Sequence, residues 1–199
     1  MRPKTTVSWL NVSLSIEAHL RAWLDTIDSD IPLYRADIPK DVAEQRAYCP
    51  DKAVFFGVHS GEITDFQDTF VDVTICQTHD EQQFLPSANL HGVWLHEAER
   101  SLQAYLNEGD AGSLHLFPLY NYDAHLSTEQ YDDFISSGNV ADLIFLRSLS
   151  PAIIQGTGFI IRSGHAGAIQ AIMNENPRKI TLTTVWQHWS PDVYSAQRG

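Results

Sequence analysis

AVFFGVH (residues 53–59) and TFVDVTICQ (residues 69–77) set the architecture. Both runs are rich in β-branched and aromatic side chains, which fit a pleated, half-buried surface. The segment between them, Ser60 to Asp68, is polar and acidic. An antiparallel hairpin is the economical arrangement. Lys52 and Thr78 would then share one end of it, roughly 20 Å from His59 at ~3.3 Å per residue.

On the N-terminal side, Val7, Trp9, Val12 and Leu14 alternate loosely and predict a strand over 5–14. Ser15 is placed to cap a helix over 16–27, whose buried stripe would be Ile16, Leu20, Trp23, Leu24 and Ile27. Ile31 to Ala36 suits a short strand. Pro39 suits the first position of a second helix running to about Tyr48, and Pro50 marks its end.

Beyond the hairpin, a helix is expected from about Ala88 to Asn107. Leu90, Trp94, Ala98, Leu102 and Tyr105 form its core-facing side, Glu99, Gln103 and Asn107 lie on another, and Gly109 closes it. SLHLFPLY (113–120) reads as a strand, with Pro118 favouring a sheet edge or bulge. Ser127 or Thr128 caps a short helix to about Ser136. Residues 141–149 fit either helix or strand. TGFIIR (157–162) reads as a strand, Gly164 to Asn174 as a helix and KITLTTVWQ (179–187) as the last strand. In an amphipathic strand Trp186 and His188 share one face with Ile180 and Leu182, while Val185 and Trp189 share the other, so both faces are expected to be buried. Helices and strands mix without strict βαβ alternation. The reading is a single α+β domain over residues 1–199, with a mixed or largely antiparallel sheet and helices packed on it.

The chain of 199 residues carries 13 Lys and Arg against 25 Asp and Glu. The imbalance is local. From Ala53 to Leu146 the only base is Arg100, against fifteen acids, a formal charge of −14. Residues 147–199 hold five bases and two acids, or +3. Direct nucleic-acid binding is disfavoured, because phosphate contacts need clustered Lys and Arg. No run of about 18 apolar residues is present, so no membrane span is expected, and the N-terminus does not read as a signal peptide. Two cysteines, Cys49 and Cys76, are too few for a disulfide framework, and a reducing cytoplasm is the simplest compartment.

No complete catalytic motif emerges. His96-Glu97 opens like the zinc-protease pattern H-E-x-x-H, but Arg100 occupies the second ligand position. In Gly57-Val58-His59-Ser60-Gly61 the serine falls one place too late for a nucleophile elbow. Gly156-Thr157-Gly158 and Ser163-Gly164-His165-Ala166-Gly167 lack the rest of a phosphate-binding pattern and read as glycine turns. Arg35, Ser60 and Glu97-Ala98-Glu99 occur in the order used by ADP-ribosyltransferases, but the glutamates fall on the best helix of the chain, where that family needs them near a strand.

Two weaker clusters remain, one at each end of the hairpin. His59, Glu62 and Asp65, with Ser60 and Asp68, could offer oxygen ligands for a divalent metal ion or an acid–base histidine. Cys49, His79 and Asp80, with Asp51, could form a thiol–imidazole pair. No other cofactor is suggested. The charge asymmetry leads to the functional expectation: a small cytoplasmic interaction protein of the inhibitor, immunity or regulatory type that docks on a basic surface of a partner protein. Glu62, Asp65, Asp68, Glu108 and Asp110 are its candidate binding residues. The alternative is a small hydrolase or transferase using one of the hairpin-end clusters.

Overall fold

In the computed structural model, which describes residues 8–36, 40–63, 66–79, 93–107, 117–137, 140–161 and 169–189, both hairpin runs are strands. The chain runs α1 (Trp9–Asp25), β1 (Leu33–Tyr34), α2 (Val42–Tyr48), β2 (Lys52–Ile63), β3 (Phe66–Gln77), α3 (Val93–Asn107), β4 (Phe117–Tyr120), a 3₁₀ turn (Asp123–His125), α4 (Thr128–Ser137), α5 (Val140–Arg147), β5 (Ile153–Ile161), β6 (Gln170–Ile172) and β7 (Arg178–Trp189).

The strands form one mixed, seven-stranded sheet in the order β1-β2-β3-β7-β5-β4, with β6 also on β7, curled into a half-barrel. Among the described residues, only the β1–β2 pair is parallel. The molecule is a single α+β domain with a largely antiparallel sheet. β2 and β3 pair as the expected hairpin, Lys52 opposite Gln77 and His59 opposite Phe70. They run further toward the turn than their apolar stretches, with a register shift between Ser60 and Ile63.

Side chains alternate across a strand. One face carries Val54, Phe56, Val71, Val73, Ile75, Ile180, Leu182, Trp186, Phe159 and Ile161 into the main core. α1 contributes Val12, Ile16, Leu20, Trp23 and Leu24 to that core, and α3 contributes Leu95, Ala98, Leu102 and Leu106. Trp94 and Tyr105 pack at its margin, half-buried. Lys52 Nζ stands 5.1 Å from the centre of the Trp94 ring. Glu99, read from the sequence as lying off the core face, is nearly buried and accepts a hydrogen bond from Gln103 Nε2 one turn on.

The N-terminal strand of the sequence reading is corrected. Residues 9–14 belong to α1, and its cap is Ser8, whose Oγ accepts from Asn11 N–H at 3.2 Å, in place of Ser15. The alternation has a physical source. Leu10, Val12, Leu14 and Ile16 are buried, but so are Asn11, Ser13 and Ser15 between them. The helix is enclosed on all sides there, and its polar residues are hydrogen-bonded inside.

Three other boundaries change. α2 begins at Val42, capped by Asp41 Oδ1, which accepts from Ala43 N–H at 2.8 Å and Glu44 N–H at 3.1 Å; Pro39 lies outside the described residues. Residues 140–147 are helical. Residues 170–172, expected in a helix, form β6, because the edge they find beside Thr181, Ile180 and Lys179 of β7 outweighs local helix preference. α4 follows its signal: Ser127 and Gln130 exchange hydrogen bonds, a capping box closed by Gln.

Candidate functional site

The hairpin places the predicted residues at two separate ends. At one end Cys49 and Cys76 are buried in one small cluster with Ala53 and Phe55, against Tyr34. The surrounding bonds form a clasp. Thr78 Oγ1 donates to the Cys49 carbonyl, and Thr78 N–H donates to the Asp51 carbonyl at 2.7 Å. Asn176 closes over it, accepting from His79 N–H at 3.1 Å and donating to the His79 carbonyl at 2.9 Å. Burial pushes both thiols up from their ordinary value. An activated thiol needs the opposite shift. Asp80 lies outside the described residues.

Toward the other end, His59 and Asp68 are described. Glu62 lies within β2, and Asp65, Glu108 and Asp110 fall outside the described residues. His59 sits on the solvent face of the sheet, with Nε2 3.7 Å from Asp72 Oδ2. That pair carries opposite charges only when the imidazole is protonated. Among the described residues, no group of three or more His, Cys, Asp or Glu is placed to hold a metal ion.

That solvent face is the first surface of interest. Along β3, Asp68, Phe70, Asp72 and Thr74 point outward in alternation with the core residues Val71 and Val73. β7 sets Gln187, Val185, Thr183 and Thr181 opposite them. Asp68 Oδ1 accepts from Gln187 Nε2 at 2.9 Å, and Asp72 Oδ1 accepts from Thr183 Oγ1. Phe70, between the two carboxylates, keeps 41% of its surface exposed. The sequence named Asp68 and His59. It passed over Phe70, whose signal was an aromatic on the polar side of an alternating strand.

The second surface is a cleft of about 570 Å³ beside α1. Leu14, Glu17, Ala18, Arg21, Ala22 and Asp25 line it from the helix, at the three- and four-residue spacing of one face. Tyr120, Tyr122, Arg147 and Leu149 line it from elsewhere. Glu17, with its side chain only 12% exposed, is held by the Arg147 guanidinium through Nε and through Nη2, the latter at 3.1 Å. Arg21 Nη1 donates to the Ile31 carbonyl at 3.1 Å. Arg35 is near enough to feel the charges of both Glu17 and Arg147, and burial lowers its pKa from the ordinary value.

A ladder of polar side chains on α1 fixes the cleft wall. Asn11 Oδ1 accepts from Tyr122 N–H at 2.8 Å and Asp123 N–H at 3.0 Å. Ser15 Oγ accepts from Tyr120 N–H at 2.8 Å. His19 Nε2 donates to the Pro118 carbonyl at 2.8 Å. These residues recur every fourth position and tie the backbone of residues 118–123, whose β4 portion pairs with β5, to α1. Burial of Tyr122, with Tyr120 and the Glu17 charge nearby, pushes its phenol up to about 12. Burial of His19 pulls its imidazole down to about 4, so it is neutral near pH 7. The sequence reading missed this site, because Glu17, Arg35, Tyr122 and Arg147 lie far apart along the chain.

No family model matches the chain, and a search of curated proteins finds no relative. No helix among the described residues is long and apolar enough to cross a membrane.

Proposed function

We propose that this protein is an acidic interaction protein, of the inhibitor or regulatory type, that works in a reducing compartment such as the cytoplasm. It binds a basic surface of another protein through the outer face of β3 and β7. The observation that carries this reading is Phe70, an exposed aromatic ring in mid-sheet with Asp68 and Asp72 two residues to either side. An arginine of the partner can stack on the ring and pair with either carboxylate. Aromatic anchors ringed by polar groups carry a large share of binding energy at interfaces. Gln187 and Thr183 already orient the two carboxylates, so little ordering is needed on docking. The chain's net charge of −12 adds long-range attraction for a basic partner.

The test uses a fluorescein-labelled arginine-rich peptide and two variants of equal charge. Asp68→Asn/Asp72→Asn removes the two acids beside Phe70. Glu129→Gln/Asp132→Asn removes two exposed acids from α4. Fluorescence anisotropy should give binding about tenfold weaker for the first variant, the worth of one charge-assisted contact. The second variant should stay within about twofold of wild type, a loss from diminished long-range attraction alone. Equal weakening of the two would refute a docking site on this face.

A further inference from the structure

The two sides of β2 are paired unequally. β3 pairs it without a break from Lys52 to Ser60, but β1 reaches only Val54 and Phe55, and the chain bends at Arg35 and Ala36. Val54 N–H donates to the Pro32 carbonyl at 2.9 Å, so the backbone groups of Val54 face the β1 side. The two-residue period of a strand turns the N–H and C=O of Phe56 and Val58 the same way. Among the described residues no strand meets them there. A sheet edge of this kind is a template for a further strand.

Gly57 lies between those two residues. Glycine weakens a strand, and inside one it marks a bulge, a left-handed backbone angle or a close approach. The register with β3 runs through Gly57 unshifted, and the positive φ among the described glycines belongs to Gly156. Close approach remains. On the outer face Gly57 stands opposite Asp72, and Asp72 stands opposite Thr183. Asp72 Oδ1 accepts from Thr183 Oγ1, whereas Oδ2 is turned toward β2, 3.7 Å from His59 Nε2. The Asp72 side chain is 39% exposed. The path from the edge of β2 to this carboxylate crosses Gly57, which puts no side chain in the way.

We propose that the edge of β2 beyond β1 takes up an extended segment of the basic partner, paired backbone to backbone, with one arginine of that segment laid across Gly57 onto Asp72. This mode of holding rests on the docking face proposed above. A residue opposite Gly57 on an added strand points to the outer face, two strand spacings or ~10 Å from Asp72. An arginine and an aspartate side chain together span that gap. Backbone pairing supplies affinity, and the arginine fixes the register. A second copy of this chain is the poorer occupant, because a net charge of −12 on each copy opposes association.

The probe is a fluorescein-labelled peptide of alternating threonine and valine, with lysine at both ends and one central arginine. Its binding to the full chain is read by fluorescence anisotropy. Citrulline in place of arginine should weaken it about tenfold, the worth of one charge-assisted contact. Asp72→Asn and Gly57→Val should each weaken the arginine peptide about tenfold and leave the citrulline peptide within about twofold. Valine is a good strand former, so it closes the path without loosening the strand, and binding of the citrulline peptide reports that each variant is folded. In an added antiparallel strand the N–H groups of the residues flanking the arginine face β2, and in a parallel one the arginine's own N–H does. N-methylation of one set, and not of the other, should therefore weaken binding about tenfold or more. Equal affinity of all forms, equal loss from the two methylated forms, or unchanged binding of the arginine peptide to Gly57→Val would overturn the proposal. So would a dimer of the chain alone, seen by sedimentation and dispersed by the peptide, which would assign the edge to a second copy. If these outcomes arise while Asp68→Asn/Asp72→Asn still weakens the arginine-rich peptide more than Glu129→Gln/Asp132→Asn, the docking face stands and only the strand addition falls. Equal weakening by those two variants removes the docking face and the strand addition with it.

Discussion

The outer face of β3 and the buried side of α1 both place polar side chains within strongly apolar segments, but they spend them differently. On β3 the carboxylates of Asp68 and Asp72 bond to side chains of β7 and stay half in water. On α1, Asn11, Ser15 and His19 are buried and bond to the backbone of residues 118–123. A half-exposed polar pair can trade its partner for water at small cost. A buried one cannot, because the orphaned backbone group stays dry. The first arrangement leaves a surface free to exchange partners, and the second fixes a wall.

The sharpest break of this comparison is Asn11→Ala against Asp72→Asn. The alanine leaves the N–H groups of Tyr122 and Asp123 without their acceptor at a buried site. Each such loss costs about 1–3 kcal/mol, so a destabilisation of about 2–6 kcal/mol is expected. Asp72→Asn keeps an acceptor for Thr183 at a half-exposed position and should stay below about 1 kcal/mol. Urea denaturation with an unchanged m-value measures both. Similar losses for the two would erase the distinction between the wet and dry polar sets.

The same contrast explains what could be read from the sequence. The hairpin was legible because AVFFGVH and TFVDVTICQ combine strand-forming residues with alternation, and the sheet later met those terms. Its continuation toward Ile63 and Phe66 was not, because polar residues there are held by strand pairing, which hydropathy does not report. α1 was misread over residues 9–14 for a related reason. A helix enclosed on all sides needs no polar stripe, so Asn11, Ser13 and Ser15 between apolar residues imitated a strand. Of the candidate sites, the sequence supplied Asp68 and His59. The cleft was beyond reach, because Arg147 at the end of α5 meets Glu17 of α1 only in the folded chain, 130 residues apart in sequence.

A pH series sharpens the comparison next. His19 and His188 are buried, and burial pulls each imidazole down to about 4, with Asp68 opposing the shift at His188. The unfolded chain binds these protons near pH 6.5, so between about 6.5 and 4 it holds more protons than the native state. Stability should therefore be complete above pH 6.5 and fall as the pH drops. The loss is about 2 kcal/mol per histidine by pH 5. His19→Gln retains a donor for the Pro118 carbonyl and removes one of the two titrations. It should lower the pH 7 to pH 5 loss by about half relative to wild type, as read from chemical denaturation at the two pH values. An unchanged loss would mean that His19 takes up its proton without disturbing the ladder.

The smallest effect on stability, and the most telling for function, is expected at Phe70. The ring sits opposite His59 on β2 and Val185 on β7, at the centre of the outer face. With 41% of it already exposed, Phe70→Ala gives up only part of a ring's burial and opens no enclosed cavity. A loss of about 1 kcal/mol is expected, well below the ~3–5 kcal/mol of a buried aromatic such as Trp23 or Phe56. Binding of the arginine-rich peptide should respond differently. The carboxylates of Asp68 and Asp72 remain, so long-range attraction and the on-rate should hold. The stacking surface is gone, so the off-rate should rise about three- to tenfold, the range of a cation–π contact of about 0.7–1.4 kcal/mol. Biosensor kinetics separates the two rates. A variant that slows association and leaves dissociation unchanged would make Phe70 a bystander among charges. The outer face would then attract basic partners without anchoring them.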